Sequence, residues 1–131
     1  MQRRSVSSGS PFESAIGFSR AVRYGDRILV SGTAPIAGDG SVAAPGDAYG
    51  QTRRCLALIG AALGEAGGSL EDVVRTRVYL TERDAWQGVA RAHAEAFAMT
   101  RPASSFVVVA GLLDSDWLVE IEAEAVVGLV R

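Results

Sequence analysis

Residues 119–125 alternate strictly between apolar and acidic side chains, and this alternation predicts a β-strand with two unlike faces. Successive side chains of a strand point to opposite faces, so Glu120, Glu122 and Glu124 lie on one face and the apolar residues on the other. Three carboxylates on one face repel one another unless cations or water surround them. The fold must therefore place cations beside this strand or leave its acidic face open to water or a ligand.

A second predicted strand, residues 73–80, carries suitable cations. Arg75 and Arg77 fall on one side of it together with Tyr79. The opposite side holds Val74, Thr76, Val78 and Leu80. Cross-strand charge pairs contribute roughly 0.2–1 kcal/mol each, so they determine register more than stability. We therefore expect the two strands to be neighbours in one sheet, with the arginines beside the acidic face.

The remaining patterns predict an α/β chain with the element order β-β-β-α-β-α-β-β, a mixed sheet with both helices on one face. The predicted strands are 19–24, 27–32, about 33–36, 73–80, 104–110 and 117–127. The first predicted helix is 46–66. A second helix is capped by Thr81, with Asp84 in the capping-box position, and ends near residue 98. Residues 1–12 are polar and lack periodicity, so we expect a flexible N-terminal tail before a single domain at 13–131. The helix-free face is half polar and half apolar, which favours packing against another copy of the chain.

Composition excludes several classes of chemistry. All thirteen cations are arginine, so lysine Schiff-base catalysis is excluded, and the formal charge of −2 offers no basic surface for nucleic acid. Cys55 is the only cysteine and His93 the only histidine, so neither a thiolate zinc site nor a multi-histidine site can form. We expect no metal or organic cofactor. No apolar run of about eighteen residues and no export signal is present, so we expect no membrane contact and a cytoplasmic location.

Five short motifs in a fixed order resemble the Rid (RidA/YjgF) family, which also carries the names ribonuclease L-PSP and translation inhibitor. They are Gly17-Phe-Ser-Arg-Ala-Val, Gly25-Asp26, Val30-Ser-Gly-Thr33, Arg101-Pro-Ala and Val119-Glu-Ile-Glu-Ala123. The resemblance covers about residues 13–128. It implies a chorismate-mutase-like fold and a homotrimer that binds small metabolites in three intersubunit clefts. The best-characterised branch hydrolyses 2-imino or enamine acids to 2-keto acids and ammonia without a cofactor.

The resemblance also assigns roles to particular residues. It implies an aromatic cleft residue at Phe18, a Ser-Gly pair at Ser31-Gly32 whose backbone donates hydrogen bonds to developing charge, and a glutamate at Glu120 that orients a water or a substrate proton. The position of the family's substrate-binding arginine is Ser104. A serine cannot form the planar two-pronged hydrogen bond by which a guanidinium holds a carboxylate.

The replacement at position 104 leaves two functions open, an imine or enamine deaminase and a non-catalytic small-molecule-binding or regulatory protein. Arg20 and Arg101 are the candidates to supply the missing cation, although either residue is also typical of an exposed surface. Ser104 and Ser105 are candidate hydroxyl donors to a ligand. A nucleophilic serine is not expected, because no histidine base is recognisable near either one. An RNA-cleaving activity rests on the older family name alone, and the acidic balance argues against it.

Two further residues are expected to serve packing. His93 shares a helical stripe with Val89 and Phe97, which is typical of a residue at the edge of a core. Cys55 lies on the apolar face of the first predicted helix and is expected to behave as a small hydrophobic residue.

Overall fold

The computed structural model describes residues 1–130 and shows an α/β fold in which long helices cover one face of a six-stranded sheet. Its strands are β1 (Arg3–Val6), β2 (Ala21–Tyr24), β3 (Arg27–Thr33), β4 (Val73–Leu80), β5 (Ala103–Val108) and β6 (Val119–Val126). Its helices are α1 (Pro11–Ile16), α2 (Ala48–Glu65) and α3 (Trp86–Phe97), with short 3-10 helices at Leu70–Asp72 and Arg83–Ala85. The strand order is β1-β2-β3-β6-β4-β5. All pairs are antiparallel except β4 with β5, which run parallel.

The predicted pairing of β4 with β6 is confirmed. Arg77 lies opposite Glu122, and its Nη1 atom is 3.5 Å from carboxylate oxygens of both Glu122 and Glu124. The hydroxyl of Tyr79 donates to Glu122 at 2.7 Å. One arginine therefore bridges two carboxylates, and Arg75 lies opposite Glu124 in the register. Two of the three carboxylates of β6 are therefore paired with a cation of the neighbouring strand, whereas Glu120 lies opposite Tyr79.

The core lies between the helices and the apolar face of the sheet. The face of α2 that the periodicity predicts is buried, including a fully buried Cys55 whose thiol pKa is raised by burial. It packs against the apolar side of β6, where Ile121 and Val119 are fully buried. From α3, Val89 and Phe97 enter the same core. Both long helices thus cover one face, as predicted.

Three local predictions were wrong. No separate strand forms at 33–36: Thr33 belongs to β3, and Ile36 makes one isolated bridge to Val42, since Pro35 lacks the N–H that a strand needs. Thr81 does not cap a helix, because its N–H donates to the carbonyl of Leu118 and so extends the β4–β6 ladder. A register shift at the start of β4 turns Val73 into the core and leaves Val74 37% exposed, the reverse of the predicted face for that residue.

Residues 1–12, which were expected to form a flexible tail, contain regular secondary structure instead. Residues 3–6 form β1, an edge strand paired with β2, and Ser10 caps α1. The buried carboxylate of Glu13 holds the two pieces together: it accepts hydrogen bonds from the hydroxyls of Ser7 and Ser8 and from the Ser8 N–H. Burial opposes ionisation of this carboxyl, but the hydrogen bonds outweigh it and its pKa is lowered. A polar sequence can thus be ordered by one buried acceptor, which periodicity does not reveal.

Replacing that acceptor should destabilise the fold. We expect Glu13→Ala to lower the free energy of unfolding by about 1.5–3 kcal/mol, the usual contribution of hydrogen bonds to a charged group. Urea unfolding at neutral pH measures the change, with Glu65→Ala, at the exposed end of α2, as the matched control. Equal stability of both variants would contradict this account of the N-terminal segment.

Candidate functional site

Five of the site residues expected from the sequence meet around the carboxyl end of β3, and we call this group the β3 cluster. Its members are Phe18, Arg20, Ser31, Gly32 and Glu120. A bulge creates it, because Val30 pairs with Ala123 and Thr33 with Ile121, which leaves the two residues between them out of register. The bulge brings Gly32 against the Glu120 carboxylate so closely that a Cβ atom built at Gly32 would lie 2.5 Å from Oε2.

Arg20 is the cation of this cluster and is not an exposed surface residue. Its guanidinium donates to the carbonyl of Gly32 at 2.5 Å and lies over the ring of Phe18, 5.6 Å from the centroid. Burial lowers its pKa, although the carboxylates of Glu13 and Glu120 favour its charged form. Its buried Nε finds no partner within residues 1–130. Arg20 is therefore held in place between two acidic groups.

Glu120 is the acidic residue of the cluster, and its environment favours the neutral form of the carboxyl. Burial raises the pKa of its carboxyl, the charge of Arg20 partly offsets this, and the neighbouring Glu122 carboxylate adds to the rise. Glu120 therefore keeps a proton to higher pH than an ordinary glutamate. A carboxyl that exchanges its proton closer to neutral pH is suited to acid–base chemistry.

Ser31 uses its donors inside the chain. Its hydroxyl donates to the carbonyl of Ser19 at 2.7 Å, and its N–H donates to the carbonyl of Arg20 at 3.0 Å. These bonds fasten β3 to the segment before β2. The Ser31 N–H is therefore occupied, so the expected backbone donation from Ser31-Gly32 could come only from Gly32.

A second group forms around β5, and we call it the β5 cluster. The Oγ1 atom of Thr76, which is fully buried, lies 2.6 Å from Oγ of Ser104 and 2.8 Å from Nε2 of His93. Ser104 is exposed and also lies 3.5 Å from the same ring nitrogen. The His93 ring packs against Phe97 and Phe106, with centroids 4.7 and 5.4 Å away. Burial lowers the pKa of the imidazole.

The expectation that no histidine lies near the two serines was wrong for Ser104. The parallel register of β4 and β5 places Ser104 beside Thr76, on the face of the sheet that α3 covers. His93 lies on α3 and contacts both residues there. Sequence reasoning placed Thr76 on the helix side of β4 and His93 on the core stripe of α3. It missed their contact, which depends on the crossing position of the helix. The core-edge location predicted for His93 holds, since the ring is half-buried.

One copy of the chain does not unite the two clusters. In the register, Ser104 and Thr76 align with Ala123 on the helix-covered side of the sheet, whereas Glu120 aligns with Tyr79 and points to the opposite side. Ser105 lies beside Arg77 on the helix-free side and is exposed. Of the predicted site residues, Arg101, Ser104 and Ser105 therefore lie apart from the β3 cluster.

Two cavities accompany the clusters. An open one of about 690 Å³ lies on the helix-free side and includes Phe18 and Ser31, together with the acidic residues Glu122 and Glu124. A groove of about 280 Å³ lies between α3 and β5. It is lined by Leu80, Arg83, Trp86, Ala90, Phe106 and Val108. Phe106 also contacts His93, so this apolar groove adjoins the β5 cluster.

Arg101 is held in an unusual backbone conformation just before β5. Its φ is +52°, in the left-handed region that disfavours any residue with a Cβ, and its N–H donates to the carbonyl of Phe97 at 2.7 Å. Its side chain is exposed. This residue lies between the end of α3 at Phe97 and the start of β5 at Ala103.

Arg101→Gly should separate stability from binding. We expect the free energy of unfolding to rise by about 1 kcal/mol, because glycine adopts a positive φ without the steric cost. If Arg101 supplies the cation for a carboxylate ligand, affinity for that ligand falls in the same variant. Thermal unfolding and calorimetric titration measure the two effects, and a lower melting temperature would contradict the strain argument.

Two features are absent from the part of the chain that the structure describes. Within residues 1–130, no group of three or more His, Cys, Asp or Glu side chains is arranged to hold a metal ion. In the same part of the chain, no helix has the length and apolar character needed to cross a membrane.

Comparison with known proteins agrees with this architecture. Residues 9–127 match the family described as Endoribonuclease L-PSP. The chain is 49% identical to Rv2704 of Mycobacterium tuberculosis, a structure of the YjgF/YER057c/UK114 family, with a TM-score of 0.87 over 96% of this chain and 100% of the other. It is 43% identical to the uncharacterized protein SCO2049 of Streptomyces coelicolor, over 97% of this chain and 94% of that protein. A RutC family protein of Pyrococcus abyssi is 37% identical over 82% of this chain and 84% of its own length.

The fold and the sequence match thus define the class as a small α/β protein of the L-PSP type. The chain belongs to the Rid (RidA/YjgF) family, as the five sequence motifs indicated.

Proposed function

We propose that this chain forms a homotrimer that binds a small metabolite in its intersubunit clefts and hydrolyses a reactive imine or enamine, releasing ammonia. The observation that carries the proposal is the placement of Glu120. Its half-buried carboxyl lies against Gly32 with a raised pKa, so it can exchange a proton with a bound substrate. Family membership supports the small-molecule site.

The geometry of the two clusters favours a cleft built from two copies. The β3 and β5 clusters lie on opposite sides of one sheet, so a second copy is needed to bring a β5 cluster to a β3 cluster. The strand β5 lies at one edge of the sheet and exposes Phe106, Val107 and Val108. An exposed apolar edge strand is a surface that proteins usually cover.

The chemistry that we assign to the cleft needs no cofactor. Water adds to the carbon of the C=N bond, Glu120 orients the reacting water or substrate and exchanges a proton with it, and the Gly32 N–H at the bulge faces the developing charge. Phe18 supplies an apolar wall beside Arg20. Ammonia leaves when the resulting carbinolamine collapses to a carbonyl.

Ser104 favours a second candidate, a non-catalytic binding or regulatory protein on the same scaffold. Without an arginine at this position, a carboxylate substrate must find its cation elsewhere. Arg20 already donates to Gly32, whereas Arg101 is exposed at the approach to β5. The second candidate predicts a ligand that raises the melting temperature with concentration and is not consumed.

Ammonia release tests the first candidate against the second. Freshly generated 2-iminopropionate, imines with larger apolar side chains, and an imine lacking a carboxylate should be compared. A rate above buffer that falls at least tenfold in Glu120→Gln supports the proposal. Wild-type protein that matches buffer for all of them would overturn it, and thermal shifts with the stable keto-acid products would then test binding alone.

A further inference from the structure

The β5 cluster is a continuous chain of hydrogen-bonding groups from a half-buried imidazole to the surface. The distances are 2.8 Å from His93 Nε2 to Thr76 Oγ1 and 2.6 Å from Thr76 Oγ1 to Ser104 Oγ. Thr76 is fully buried and Ser104 is exposed. The aromatic rings of Phe97 and Phe106 flank the imidazole. The hydroxyl of Thr76 is thus the shorter link between the ring and the exposed hydroxyl, since the direct distance from Ser104 Oγ to Nε2 is 3.5 Å.

A single threonine proton couples the two ends of this chain. When Nε2 of His93 accepts, Thr76 donates to it and can accept from Ser104, whose oxygen then faces the outside with free lone pairs. When Nε2 carries a proton, Thr76 accepts from His93 and can donate to Ser104, whose own proton turns outward or toward the Pro102 carbonyl at 3.3 Å. The protonation of His93 is therefore transmitted to the Ser104 hydroxyl.

We propose that Ser104, Thr76 and His93 form a proton relay whose outer end is the Ser104 hydroxyl, and that His93 is the terminal proton acceptor for the reaction in the cleft. This inference rests on the proposed function for its catalytic role, and on the distances between the three side chains for the relay itself. Burial lowers the pKa of the imidazole and so favours the neutral ring, which is the state that an acceptor needs. In this scheme Ser104 exchanges a proton with the reacting water, and Thr76 acts through Ser104.

The reaction balances with Glu120 from one copy and the relay from the next. As the water oxygen bonds to the imine carbon, a water proton passes to Ser104, the Ser104 proton to Thr76 and the Thr76 proton to His93 Nε2. Glu120 in its protonated form, which burial favours, gives its proton to the nitrogen, and this completes a carbinolamine. The C–N bond then breaks, the relay returns the imidazolium proton to the departing nitrogen as ammonia, and Glu120 takes the hydroxyl proton. The product is a carbonyl compound, and both groups regain their starting states.

The first experiment measures the relay without any substrate. His93 is the only histidine, so its ring resonances in an NMR pH titration have one assignment. Thr76→Val removes the hydroxyl and keeps the shape of the side chain, whereas Thr76→Ser keeps the hydroxyl. We expect the His93 titration midpoint and ring ¹⁵N shifts to change in Thr76→Val and to stay near wild type in Thr76→Ser. Unchanged ring signals in Thr76→Val would overturn the relay.

The second experiment measures the catalytic role by ammonia release. We expect Thr76→Val to lower kcat by about 100-fold, within the usual contribution of acid–base groups, and Thr76→Ser to recover most of it. The limb of the pH–rate profile that belongs to His93 should disappear in Thr76→Val and in His93→Gln. Thr52→Val, at a buried threonine of α2 whose hydroxyl donates to the Ala48 carbonyl, is the matched control.

The outcomes of the two experiments are distinguishable. A wild-type rate with an unaltered pH profile in Thr76→Val would overturn the catalytic role even if the ring signals shift. A wild-type protein that releases no ammonia from any imine would overturn the proposed function and the catalytic role together. The NMR comparison would still decide whether the three side chains are coupled.

Discussion

Gly32→Ala should abolish most ammonia release while leaving the fold intact. The backbone at Gly32 has no positive φ, so alanine fits its conformation. The new methyl group would lie 2.5 Å from Oε2 of Glu120, and that oxygen is at the free end of a flexible side chain. The carboxylate must therefore move, and the fold need not.

A displacement of this kind is costly to catalysis, because a misplacement of about 1 Å can reduce a rate by about 100-fold. We expect kcat/KM to fall by that order while the melting temperature changes little. Gly64→Ala, on α2, is the matched control, since no atom lies within 4 Å of its new Cβ and alanine favours the helix. Full activity in Gly32→Ala would show that the position of Glu120 against the bulge is irrelevant to the reaction.

A mixture of two inactive variants should recover activity. Glu120→Gln lacks the carboxyl of the β3 cluster, and Thr76→Val lacks the link of the β5 cluster. If each cleft takes one cluster from each of two neighbouring copies, a cleft between a Thr76→Val copy and a Glu120→Gln copy can hold both intact halves. Random assembly of equal amounts in a cyclic oligomer makes about a quarter of the clefts complete.

Ammonia release after the two variants are unfolded and refolded together measures this recovery. Each variant refolded alone gives the baseline, and the two mixed without unfolding show whether subunits exchange in the folded state. We expect about a quarter of wild-type activity in the refolded mixture. A mixture no more active than its components would place both clusters of every working site in one copy, contrary to the register of the sheet.

Periodicity predicted the parts of this fold that depend on alternate burial. The acidic face of β6 and the arginines of β4 identified two neighbouring strands before any coordinates, because charge balance leaves few other arrangements. The buried face of α2 was equally predictable from the spacing of its apolar residues. In contrast, β1 was missed because a polar edge strand buries few residues, and its order depends on pairing with β2 and on the carboxylate of Glu13 just beyond it.

The candidate site was predictable only in part, for a geometric reason. Motif resemblance identified Glu120, Gly32 and the replacement at Ser104. No local pattern shows that a bulge presses Gly32 against Glu120, since a bulge is a mismatch between two distant strands. The contact of Thr76 with His93 likewise depends on where α3 crosses the sheet. The sequence of neither segment alone determines that position.

The separation of the two clusters by the sheet has a consequence for dilute solutions. If the proposed cleft takes one cluster from each of two copies, a folded chain on its own carries half of one cleft on each side and a complete cleft on neither. Specific activity should then fall with dilution at concentrations where spectroscopic signals of folding stay constant. The protein would respond to its own abundance through assembly, because loss of neighbours removes the reaction before it removes the structure.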